Sequence, residues 1–138
     1  MRFNQLSLAG LEQSWSAALA AAMTWIPSFS GSFDSRLVQV RGRDLLAALI
    51  LVVMHRHGTA ATMENVRELI DGEMSKPGSV LGGLIHYETH QVRDVSKMCL
   101  AARGSCFGDA VPFLALNIQE ERTGAVERLW PPKVMLAV

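Results

Sequence analysis

The sequence predicts an all-α fold: a compact bundle of six or seven helices around one central buried helix at about residues 34–57. Three features of the chain support this prediction. Ten consecutive apolar residues stand at Leu45–Met54, several other segments carry apolar residues at three- and four-residue steps, and no segment alternates apolar and polar residues as a half-buried strand does. With 138 residues, 49% of them hydrophobic and 19% charged, the chain is expected to form one domain over residues 1–138.

The first helix is predicted to run from about Leu8 to Trp25. Its apolar residues at helical spacing are Leu8, Leu11, Trp15, Ala18 and Ala22. Pro27 follows, and proline cannot continue a helix. The SFSGS stretch at 28–32 is the expected linker to the next helix.

The second helix is predicted from about Asp34 to His57. Its second half is the apolar run Leu45–Met54, which has half of the roughly 20 residues that a helix needs to cross a bilayer. A run of that length is expected to be a core helix, buried on every side, and not a membrane anchor. Gly58 ends the helix, and the HRH at 55–57 lies where the helix dipole favours cationic side chains.

A third helix is predicted from the cap Thr62, with Glu64 in its first turn, to just before Gly72. The loop EMSKPG is expected to follow it. Ser79 is then the predicted cap of a short segment that ends near Ile85.

Three helices are predicted in the last third of the chain. Apolar residues repeat at helical spacing over 92–102, and Gly104 ends that helix. Asp109 and Pro112 suit the opening turn of the next helix. A last helix is expected at 123–130.

Composition limits the possible partners. Lys plus Arg equal Asp plus Glu, 13 each, so no global field attracts nucleic acid or an anionic membrane, and any DNA contact must be a local patch. The two cysteines do not make a disulfide framework, and the first residues do not read as a secretory signal. A reducing, cytosolic setting is therefore expected.

The chain is predicted not to be an enzyme. The phosphate-binding loop GxxxxGK[ST], the dinucleotide motif GxGxxG and the hydrolase motif GxSxG are all absent from the sequence. No cofactor is predicted.

The most metal-like feature is HYETH, in which His86 and His90 stand four apart and would share a helix face. Further candidate ligands are Glu88, Cys99 and Cys106. Tyr87 stands where a zinc-protease helix needs glutamate, so two partly exposed surface histidines are the favoured interpretation and a metal site is the alternative.

The cysteines are interpreted as buried small apolar residues. For His55 and His57, capping of helix carbonyls is favoured over a phosphate contact.

Two basic groups are the candidate DNA-binding or partner-binding sites. One comprises Arg36, Gln39, Arg41 and Arg43 on the second helix, and the other comprises Arg93 and Lys97. An ordinary solvated face is the favoured explanation of both groups, because aspartates are interleaved with them. If the first group does bind DNA, replacing its three arginines is expected to weaken binding and to flatten its salt dependence.

Four motifs occur in an order that carries a resemblance. They are FNQLSL at 3–8, GRDLLAALILVVMHRHG at 42–58, TMENVRELI at 62–70 and EERTGAV at 120–126. Together they resemble the all-alpha domain of type IV secretion coupling proteins, the DNA-transfer ATPases of bacterial conjugation. The resemblance covers residues 3–126, and its specificity lies in the order and spacing of the motifs. Gln5 stands where the family has proline.

The resemblance implies an insertion domain of a larger, hexameric ATPase that is anchored in the bacterial inner membrane. The domain would face the cytoplasm at the mouth of the transfer channel and would recognise a relaxase, an accessory relaxosome protein, or single- or double-stranded DNA. It would not contact the membrane itself. The nucleotide-binding motifs belong to the surrounding ATPase domain, so no catalytic residue is carried over. Zero net charge favours protein recognition with a local DNA contact.

Two alternatives belong to other functional classes. The seven methionines and the absence of catalytic motifs also fit a free-standing helical adaptor that binds a protein through an apolar groove. A small zinc-dependent enzyme that uses His86, His90 and Glu88 is the third interpretation.

Overall fold

The computed structural model describes residues 6–106 and 108–118, and this part of the chain forms six α-helices. They are α1 (Trp15–Trp25), α2 (Phe33–His57), α3 (Met63–Ser75), α4 (Leu81–Leu84), α5 (His90–Ala101) and α6 (Ala110–Asn117). Within those ranges there is no strand, and the one β-type pairing is an isolated antiparallel bridge between Ser7 and Thr62. The predicted all-α bundle is confirmed, and the helix expected at 123–130 lies outside the described residues.

Helix α2 forms the centre of the bundle and packs against α1, α3, α5 and α6. Every residue of the run Leu45–Met54 is buried, as predicted. The first half of α2 is different: residues 33–36 are exposed and residues 37–41 are half-buried. The helix begins after Ser32, whose hydroxyl accepts the backbone N–H of Ser35 at 3.2 Å, and it ends at Gly58, which adopts a positive φ of 54°.

Residues 6–14, the described part of the chain before α1, are not helical, so the prediction that the first helix starts near Leu8 is wrong. The backbone N–H of Leu8 donates to Ala61 O at 2.8 Å, and the N–H of Met63 donates to Leu6 O at 3.0 Å. Helix α1 starts only after Ser14, whose hydroxyl caps its first turn. Leu8 and Leu11 are both buried although the chain turns between them, so their apolar spacing alone could not distinguish this segment from a helix.

Helix α3 runs past its predicted end at Gly72 and stops at Ser75. Thr62 caps its start as predicted, in a reciprocal arrangement with Asn65. At its other end, Ser79 does not cap α4. Its hydroxyl donates to Gly72 O at 3.1 Å, and α4 is a single turn that follows Val80.

The carboxylate of Glu73 explains this difference. Glu73 is 2% exposed, and its oxygens accept the backbone N–H groups of Gly78 at 2.7 Å, Val80 at 3.1 Å and Leu81 at 3.0 Å. Those bonds turn the loop back against α3, so the helix must extend far enough to place Glu73 inside the turn. The prediction that Glu73 begins the loop EMSKPG is therefore wrong, because Glu73 lies in the last turn of α3.

Arg103 ties the same carboxylate to the start of α6. Its Nε donates to Glu73 Oε2 at 2.9 Å, and a second guanidinium nitrogen donates to Asp109 Oδ2. Asp109 is also the N-cap of α6, as predicted, because its other oxygen accepts the N–H of Val111. One guanidinium thereby joins the ends of α3 and α5 to the beginning of α6.

In the described ranges, no helix combines the length and the apolarity that a membrane span requires.

Candidate recognition surfaces

The three arginines predicted as one basic group on α2 lie on different sides of the helix. Residues seven apart share a face of a helix with 3.6 residues per turn, so Arg36 and Arg43 point the same way, whereas Arg41 does not. A guanidinium nitrogen of Arg41 lies 3.5 Å from the carbonyl oxygen of Gly108, close to the start of α6. The structure does not bring these arginines into a single patch.

Two members of this group are committed to contacts within the bundle. The guanidinium of Arg43 lies 4.3 Å from the ring centroid of Phe29 in a cation–π contact. The side-chain amide of Gln39 accepts the N–H of Ser30 at 2.9 Å and donates to Ser30 O at 2.8 Å. These residues therefore hold the 28–32 linker against α2.

Arg36 is the exposed cation of the group. Its side chain is exposed, and its Nε donates to Gly31 O at 3.0 Å. Beside Arg43, burial raises the pKa of the Asp44 carboxyl, and the positive charge of Arg43 opposes that shift.

The second basic group is on α5, where Arg93 is half-buried with its Nε 3.8 Å from Asp94 and Lys97 is exposed. Binding by either group stays a prediction.

A cleft opens between the first half of α2 and α6. It has a volume of about 380 Å³ and is lined by Ser32, Asp34, Ser35, Val38, Gln39, Cys106 and Phe113. A second cleft of about 340 Å³ shares Gln39 and Phe113 with it. Phe33 and Leu116 are 80% and 66% exposed. The sequence did not indicate this cleft, because it depends on how α6 packs across α2.

The two histidine motifs meet at the opposite end of α2. His55 Nδ1 lies 2.6 Å from the hydroxyl oxygen of Tyr87, and the two rings are parallel to within 3°. Burial raises the pKa of the Tyr87 phenol; the charge of Arg56 lowers it and the charge of Glu88 raises it. No sequence pattern predicted this pairing, because the two motifs are separated by about 30 residues.

The expectation that His86 and His90 share a helix face is wrong. His86 comes after α4 has ended, and His90 is the first residue of α5, so a break in the helix separates them. Both side chains are exposed, as the favoured interpretation held. In the described part of the chain, no three His, Cys, Asp or Glu side chains come close enough together to hold a metal ion.

The two cysteines have different environments. Cys99 is buried in the core, as interpreted, and burial raises the pKa of its thiol to about 12. Cys106 is exposed and lines the larger cleft, so the interpretation of both cysteines as buried is wrong for this one.

Comparison with models of known protein families, with curated proteins and with solved structures found no match.

Proposed function

We propose that this chain is the substrate-recognition domain of a type IV secretion coupling protein. In that role it binds relaxosome proteins, DNA or both at the cytoplasmic entrance of the transfer channel. The parent protein is then an ATPase in the bacterial inner membrane, and this domain supplies recognition without catalysis.

The observation that carries the proposal is the order of four motifs along an all-α chain. Their arrangement in space supports it further. The motif at 3–8 ends in Leu6 and Leu8, which form backbone hydrogen bonds with Met63 and Ala61 at the start of the motif 62–70. The motif 42–58 forms the buried half of α2. The fourth motif, at 120–126, lies outside the described residues.

The exposed surfaces are consistent with recognition of a protein. The cleft between α2 and α6 is largely apolar, and each of these two helices also exposes a large apolar side chain, Phe33 on α2 and Leu116 on α6; exposed apolar surface is typical of interaction sites. The same cleft is the observation that favours the second candidate function, a free-standing helical adaptor with an apolar groove.

Binding measurements test the proposal directly. The purified chain is immobilised and titrated with the cognate relaxase, the accessory relaxosome proteins and single- and double-stranded DNA, with a relaxase from an unrelated plasmid as the control. We expect at least one cognate component to bind at micromolar concentration and the unrelated relaxase not to bind. If none of the cognate components binds, the recognition role of this domain is rejected.

A further inference from the structure

We draw no further inference here: the strongest candidate, the largely apolar cleft of about 380 Å³ between the first half of α2 and α6, carries none, because nothing in the part of the chain that the structure describes shows what covers it.

Discussion

Glu73 is the residue on which the packing of four helices converges. Its carboxylate is inside the bundle, where it accepts three backbone N–H groups and the Nε of Arg103. Burial by itself would raise the pKa of this carboxyl, but the hydrogen bonds from Leu81, Gly78 and Arg103 outweigh burial and lower it. A buried charge of this kind is tolerated because all its partners are present.

Glu73→Gln is expected to lower the free energy of unfolding by about 3 kcal/mol at neutral pH, because it removes the buried charge that accepts three backbone N–H groups and leaves Arg103 with Asp109 as its remaining carboxylate partner. Glu68→Gln removes an exposed carboxylate from the same helix and should change stability by less than about 0.5 kcal/mol. Urea unfolding of both variants measures the difference. Equal stabilities would show that the network contributes nothing.

The same carboxyl predicts an acid dependence. A carboxyl with a lowered pKa stabilises the fold above its unfolded-state pKa, here near 4.5, and that contribution disappears as the pH falls through the folded-state value. The stability gap between wild type and Glu73→Gln should therefore be constant at neutral pH and shrink below about pH 4.5. A gap that stays constant down to pH 2 would contradict this assignment.

Thiol chemistry tests the burial of the two cysteines. The raised pKa of Cys99 keeps its thiol protonated at pH 8, and the thiolate is the reactive form. An aromatic disulfide reagent should modify one thiol per native chain, at Cys106, and both thiols in urea. Cys106→Ser should abolish the native reaction. Rapid modification of Cys99 in that variant would mean that the core is open.

The sequence could predict the contacts between neighbouring residues but not those between distant ones. The caps Thr62 and Asp109 were predictable, because each precedes a helix pattern and acts over two or three residues. The bond from Arg103 to Glu73 was not, because it joins residues 30 apart that carry no local signal.

At the scale of elements, α2 and α6 approach each other at a glycine. A Cβ atom at Gly42 would lie 2.5 Å from Cδ1 of Phe113, well inside van der Waals contact. The absence of a side chain at Gly42 therefore lets the aromatic ring pack against the helix backbone. Because Phe113 also lines both clefts, this contact sets the width of the surface between α2 and α6.

Gly42→Ala is expected to destabilise the fold. The gain in helix propensity is about 1 kcal/mol, and displacement of the Phe113 ring costs about 1–3 kcal/mol. Gly83→Ala is the control, since a Cβ there meets nothing within 4 Å, and it should be neutral or stabilising. Thermal unfolding of both variants gives the comparison. If the two substitutions had equal effects, the close approach of Phe113 would carry no energetic weight.

Helices were predictable to different degrees for physical reasons. The bounds of α2 follow from a sharp apolar run and from Gly58, which are local signals. The segment before α1 satisfies helical spacing at Leu8 and Leu11, yet it is not helical, because Leu6 and Leu8 form backbone hydrogen bonds with Met63 and Ala61, more than 50 residues away. Tertiary pairing of that kind overrides a local pattern.

At the scale of the whole molecule, α2 separates two surfaces of different chemistry. The cleft at its N-terminal end is largely apolar, whereas its C-terminal end, where segments 55–57 and 86–90 meet through His55 and Tyr87, carries Arg56 and all four histidines. The sequence predicted the core between them, because the part of α2 that is buried on every side is a continuous apolar run, Leu45–Met54. It did not predict the surfaces, since each of them is assembled from segments that come together only in the fold.

The mass of the native gene product, detected in the source cell with an antibody against this chain, tests the coupling-protein proposal most directly. We expect a band several times larger than 15.1 kDa in the membrane fraction, because the proposal makes this chain one domain of an anchored ATPase. A soluble product of 15.1 kDa would contradict the proposal and would make the free-standing adaptor the better explanation of the cleft.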